Sequence, residues 1–297
     1  MTMKIIDMHS HWGTPRGLGT DLFTEVELKG QALAWNGELK TVTEAEMAQQ
    51  FRKSGVRAIL DLGFRFGQPP ELMSSLYDYA IDTQKQYSDV ILGNWLHIDP
   101  RRSDAVQELR RCIDRKGDGF VGLGVSGAGL NIAASDPVYE PLYALCEEAG
   151  IPVLILVGTT ALGVGVPGGG GVQIEFSHPR HLDQVAATHP GLSILAGRPG
   201  WPWQTETIAV LLHKRNVYYE VHGWSPKYFT EDLKREISRR LKGRILFGAD
   251  YPMLTHERLV SEWQNEGYAS DVLDGVFHGN AETFLGGLKG YQFKHME

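Results

Sequence analysis

Cysteine is almost missing from this chain. Cys112 and Cys146 are the two in 297 residues, and neither belongs to a CxxC pair. A disulfide framework and a cysteine zinc site are therefore not expected. Long apolar runs are missing as well: none approaches the ~18–20 residues that span a bilayer. Basic charge is short, with 29 lysines and arginines against 36 acids and a net charge of −7. The densest basic stretch, 234–244, alternates with apolar residues and reads as the wet side of a helix. Nucleic acid is therefore not an expected partner. The opening MTMKIIDMHSHWG lacks the apolar core of an export signal, which predicts a chain that starts here and stays in the cytoplasm. At 42% hydrophobic and 22% charged residues, the composition is that of a globular protein, not of a disordered, collagenous or coiled-coil one.

What the sequence does contain is one repeating pattern, an apolar run followed by an amphipathic stretch. The runs lie at 4–8, 56–62, 90–97, 119–125, 151–157, 192–196, 217–221 and 244–248. Most are rich in Val, Ile and Leu without strict alternation, which suits strands covered on both faces in a parallel sheet. Helical spacing follows at 43–54, 69–86, 104–115, 138–149, 179–188, 205–213, 230–241 and 255–266. Thr43 with Glu46 has the capping-box spacing, Ser103 and Asp136 are candidate N-caps, and Gly55 and Gly150 stand where C-cap glycines belong. Eight β-then-α units predict a single (β/α)8 TIM barrel over residues 1–297. A doubly wound open sheet is the competing arrangement. It would often carry GxGxxG after the first strand, where this chain has HSHWG. Two long loops, 12–42 and 158–177, interrupt the pattern. The second holds the glycine run 163–171, readable as a mobile lid or as a tolerated insertion.

The residues that could carry chemistry sit at predicted strand ends. His9 and His11 close the first run, and strand alternation puts them on one face, half of a tetrahedral metal site. Asp250 closes the eighth, which a barrel brings beside the first. A carboxylate there can ligate a metal and accept a proton from bound water, or it can simply cap a turn. His222 follows the seventh run, with Glu220 on the same face to orient it. It reads as a replacement ligand, a general acid or a hydrogen-bonded core histidine. His97 and His178 are equally ambiguous, and His189 and His213 read as surface residues.

HxH near the start and FGADYPM at 247–253 together resemble the amidohydrolase superfamily, in the branch that holds aminocarboxymuconate-semialdehyde and resorcylate decarboxylases. The segments SHPRHLD at 177–183, GRPGWPW at 197–203 and HGNAETFLG at 278–286 extend the resemblance along nearly the whole chain. It implies a barrel holding one or two divalent metals that activate water or bind a substrate carboxylate. Three departures stand out. Where the family has a GHxGxPW histidine, this chain has Arg198, whose guanidinium has no lone pair to give a metal. Where a PVLFHTG histidine is expected, it has Leu156. Where a KLHP-like segment is expected, it has 123–126, LGVS.

The remaining ligands, His9, His11 and Asp250, suit one divalent ion, zinc first, with iron or manganese compatible. The expected activity is that of a metal-dependent lyase or hydrolase on a small carboxylated compound, with Arg198 orienting the substrate anion and Asp250 as base. The alternative is a non-catalytic or weakly metallated subunit of a hetero-oligomer, for example of an iron-dependent oxygenase, whose paralogous partner holds the full site. A homo-oligomer is the other assembly expected. Tryptophans such as Trp12, Trp95, Trp224 and Trp263 would serve such an interface or fill the core.

Overall fold

The apolar runs become the eight parallel strands of one sheet in sequence order. They are β1 (Ile5–His11), β2 (Val56–Asp61), β3 (Ile91–His97), β4 (Phe120–Ser126), β5 (Val153–Leu156), β6 (Ile194–Gly197), β7 (Val217–Glu220) and β8 (Ile245–Leu246). This computed structural model describes residues 4–19, 24–35, 37–38, 40–62, 68–288 and 291. The ring closes through the main chain: Met8 N donates to Phe247 O at 2.9 Å and Asp250 N donates to His9 O at 3.0 Å. The fold is thus the (β/α)8 TIM barrel that the eight repeats predict.

Helices cover the outside: α1 (Glu25–Trp35), α2 (Glu44–Ser54), α3 (Pro70–Gln86), α4 (Ala105–Ile113), α5 (Gly127–Leu130), α6 (Glu140–Ala149), α7 (Pro179–Thr188), α8 (Gln204–His213), α9 (Glu231–Ile237), α10 (His256–Asn265), α11 (Ser270–Asp274) and α12 (Asn280–Gly286). The 43/46 capping box forms, with Thr43 N on Glu46 Oε2 at 2.9 Å and Glu46 N on Thr43 Oγ1 at 3.3 Å. Thr43→Ala should therefore lower stability by about 1 kcal/mol, read as a shift in denaturation midpoint. Gly55 and Gly150 close α2 and α6 with positive φ. Asp136 caps the short turn before α6 through Val138 N. Ser103 is not a cap: Asp104 precedes α4 and makes no side-chain cap bond. Helix α1 lies where a loop is expected from the sequence, because its apolar residues form no one-sided stripe.

Two layers of core result. Ile6, Met8, Ile59, Trp95, Leu154 and Leu246 fill the barrel interior, and Phe284 and Leu285 of α12 pack against them. A larger layer, including Trp12 and Trp263, lies between strands and helices. Trp12, Trp95 and Trp263 are therefore core and are not available to an interface, whereas Trp224 is partly exposed. His189 is likewise buried, not on the surface, held by Glu140 and Glu147 at 3.2 Å each.

The glycine run is anchored. Gly168 to Gly171 all have positive φ, and a Cβ on Gly165 would stand 2.6 Å from Gly30 Cα of α1. Asn131 Nδ2 donates to Gly171 O at 2.8 Å, while its Oδ1 accepts from Gln173 N at 2.9 Å. The loop thus seats on α1 and on the end of α5.

Candidate active site

A parity change in β1 aims its histidines. Ile6 and Met8 point into the barrel, while Asp7 points outward to His256 of α10, 2.7 Å away. The register against β2 shifts between Asp7 and Ser10. This irregularity turns His9 and His11 inward and leaves Ser10 outside, its hydroxyl on Asp7 at 2.5 Å. The Asp7 carboxylate also accepts from His9 N at 3.0 Å and Ala249 N at 3.2 Å. One buried side chain therefore ties β1 to the segment that presents Asp250 and to α10.

The inward residues at the strand ends divide the barrel in two. From β7 through β8 and β1 to β3 they are polar: Glu220, His222, Asp250, His9, His11, Asp61 and His97. From β4 to β6 they are Gly124, Ser126, Leu156 and Gly197, with no imidazole or carboxylate among them. The polar half forms an alternating line of imidazoles and carboxylates. His222 Nδ1 lies 2.5 Å from Glu220 Oε1, which is 3.5 Å from His9 Nδ1. His9 Nε2 is 3.9 Å from Asp61 Oδ2, which His97 Nε2 approaches to 2.6 Å. His11 branches off, with Nδ1 4.0 Å from Asp61 Oδ1 and Nε2 3.1 Å from Asp250 Oδ1. His97 fits because Gly124 has no side chain: a Cβ there would stand 2.5 Å from its Cε1 and Nε2.

Arg198 enters from the loop after β6. Its φ of 70° and that of Asp250, 65°, are in the left-handed region that non-glycine residues seldom adopt. Such strain persists where the surroundings enforce it, often at functional sites. The guanidinium is buried and donates to Thr159 O at 3.3 Å. Burial lowers its pKa, against the charges of Asp250, Glu220 and Asp61. Together with His11, Asp250, Thr159, Thr160, Val164, Trp224 and Met253 it lines a cavity of about 230 Å³.

The electrostatics are uneven. Burial, reinforced by the neighbouring His222 and His11, holds His9 well below the usual imidazole range, so it is neutral and carries a lone pair. Burial pulls His11 down too, but its hydrogen bond to Asp250 and the charges of Asp250 and Asp61 outweigh this and raise it. For Asp250, burial is outweighed by His11, His222 and Arg198, which bring its carboxyl to about 2. Burial pushes Glu220 up, partly offset by His222.

Among the described residues, two groups bring three cation-ligating atoms within 4.8 Å of one another: His9–His11–Asp61 and His9–Glu220–His222. The expected His9, His11 and Asp250 share one barrel mouth, yet Asp250 pairs with His11 and belongs to neither group. Buried nitrogen and oxygen donors around a neutral imidazole fit a divalent cation. Both ring nitrogens of His9 are buried without a hydrogen-bond partner among the described residues, which suits a cation ligand. Asp61 was not found by sequence reading. Its signal was a lone acid ending an apolar run, AILD. His178 lies away from the cavity: its Nδ1 caps α7 through Arg180 N, and its Nε2 is 3.3 Å from Glu206. Trp203 packs against it.

No curated protein matches the chain. Among solved structures, an uncharacterised TIM-barrel protein from Bordetella bronchiseptica is 21% identical with a TM-score of 0.72, over 96% of this chain and 99% of that one. The 5-carboxyvanillate decarboxylase of Sphingomonas paucimobilis is 15% identical with a TM-score of 0.67, over 95% and 98%. A dihydroxybenzoic acid decarboxylase from a Polaromonas species, with bound manganese and the inhibitor 2-nitroresorcinol, is 15% identical with a TM-score of 0.66, over 95% and 96%. At these identities the likeness is one of fold. The family profile for amidohydrolases matches residues 6–287, from the first inward residue of β1 to just beyond α12. A barrel built strand for strand around an inward HxH, and a profile that takes in almost all of it, make this chain a member of the amidohydrolase family.

Proposed function

We propose that the chain is a metal-dependent lyase or hydrolase, decarboxylase-like in its chemistry, acting on a small carboxylated compound. The observation that carries this is the buried Arg198 guanidinium on the wall of a 230 Å³ cavity, facing the same space as His11 and Asp250. His9 and His11 would hold a divalent cation, zinc, iron or manganese, with Asp250 as the nearby carboxylate. Such a cation, when bound, supplies positive charge to a substrate carboxylate or lowers the pKa of a water. Arg198 receives the substrate anion; its planar fork matches a carboxylate with two parallel hydrogen bonds. Asp250 Oδ1, within 3.1 Å of His11 Nε2, is placed to accept or return a proton at the reacting group. Val164, Trp224 and Met253 give the cavity part of an apolar wall. The volume suits a single ring or a short-chain acid.

The test is a turnover screen of small aromatic and aliphatic acids with zinc, manganese or ferrous ion, followed by Arg198→Met. Removing a charge-assisted contact of this kind should raise KM for the carboxylated substrate about 10–100-fold, while the protein still binds the cation. An unchanged KM removes Arg198 from the site. A cation content near zero, with co-purification of a paralogue, favours the second reading, a non-catalytic subunit of a hetero-oligomer. Leu156 supports that alternative, since β5 ends in methyl groups, one of them 2.7 Å from the Cβ that Gly197 lacks.

A further inference from the structure

One large apolar side chain at the barrel mouth has no part in the chemistry above. Trp201 follows Arg198 by three residues in the loop after β6 and is 48% exposed. Tryptophan is usually far more buried, because its ring carries so much apolar area. Its ring centroid lies 6.1 Å from that of Trp224, with the planes 31° apart. Trp224 packs on the core with part of its ring and lines the cavity with the rest. The two indoles therefore continue the apolar wall of the cavity outward.

The exposed indole is fixed through its main chain. Trp201 O accepts from Thr159 N, in the loop after β5, at 2.8 Å. That approach needs a glycine beside it: Gly158 has a φ of 79°, and a Cβ on it would stand 2.7 Å from the same oxygen. The Thr159 carbonyl in turn accepts from Arg198 Nη1 at 3.3 Å. Thr159 thus ties the guanidinium and the Trp201 main chain to one point. Exposure rises along a line from buried Arg198 to partly exposed Trp224 and then Trp201. The cavity of about 230 Å³ takes one ring beside the guanidinium. A longer molecule held there by its carboxylate must lie against the two indoles.

We propose that Trp224 and Trp201 form an outer subsite for the end of the substrate opposite its carboxylate, so that the substrate is an acid with a second planar, apolar group. This rests on the reading of Arg198 as the carboxylate anchor. Indole faces hold such groups by burial and offset stacking. Calorimetric titration of the full-length protein with benzoate and with biphenyl-4-carboxylate tests it. Both acids offer the same carboxylate and first ring, and the second ring of the longer acid reaches out of the cavity. Wild type should hold the biphenyl acid about 10-fold or more tighter than benzoate. Trp201→Ala should lower that ratio about threefold or more, and Trp201→Phe should restore part of it. Equal affinities in the wild type, a ratio that survives in Trp201→Ala, or binding of neither acid overturns the proposal. So does a change of oligomeric mass in Trp201→Ala by sedimentation, which would place the indole between copies. Arg198→Met tests the underlying reading by itself: it should weaken both acids alike and keep their ratio. Unchanged affinities for both acids in that variant remove the carboxylate anchor, while a ratio lost in Trp201→Ala still upholds the aromatic subsite.

Discussion

In the His11→Ala variant, bound cation is expected to fall from about one per chain to none, and turnover to fall by about 10³-fold or more. His11 is the imidazole that faces both the cavity and Asp250, with Nε2 3.1 Å from Oδ1. On the proposed assignment its loss removes a ligand and also releases the carboxylate that the chemistry needs in place. Electrostatic assistance from a bound divalent ion is worth several kcal/mol, and each 1.36 kcal/mol is tenfold in rate. Cation content by elemental analysis and turnover on the substrate found for the wild type are the measurements. Turnover equal to wild type in the variant rules out a catalytic role for this centre, and stability alone would then be the contribution of His11.

For Asp7→Ala the expected result is a loss of about 3–5 kcal/mol of stability, read from urea unfolding. The Asp7 carboxylate is fully buried and is reached by four donors: His9 N, Ser10 Oγ, Ala249 N and His256 Nε2. Removing one member of a buried charged network leaves its partners unsatisfied, which is the large-effect class of substitution. The loss should also reach the active site. Asp250 N is bonded to His9 O, and Tyr251 N to Ser10 Oγ, so a shift of His9 or Ser10 once Asp7 is gone is passed on to the Asp250 segment. Asp7→Asn, which keeps one acceptor oxygen, should recover part of the stability. A loss below about 1 kcal/mol in Asp7→Ala shows that the four contacts do not act as a tie.

Much of the barrel is readable in the chain itself. Eight buried runs with helical stretches between them leave few alternatives to a parallel closed sheet, and seven of the strands lie on their predicted runs or overlap them over most of their length. The eighth is trimmed to Ile245 and Leu246, because after Leu246 the chain leaves the ladder to present Asp250. The pairing of His9 with His11 is also legible, since alternation keeps residues two apart on one side. Asp61 and His256 escaped because each is a single polar residue with no local pattern. Their meaning comes from partners distant in sequence, His97 for one and Asp7 for the other.

Local sequence by itself determined the strand and helix succession, the capping box at Thr43, the left-handed glycines at 55 and 150 and the placing of His9, His11, Glu220, His222 and Asp250 at or just beyond strand ends. Those features depend on neighbours within a few residues and on burial averaged along a run. Which way the β1 histidines face was decided only in three dimensions, where a one-residue irregularity against β2 reverses the side on which they emerge. The gathering of polar strand ends on one half of the barrel was decided there too. It depends on ring closure between β8 and β1, which brings together residues some 240 positions apart, and on inward glycines whose missing side chains leave room for Glu220 and His97.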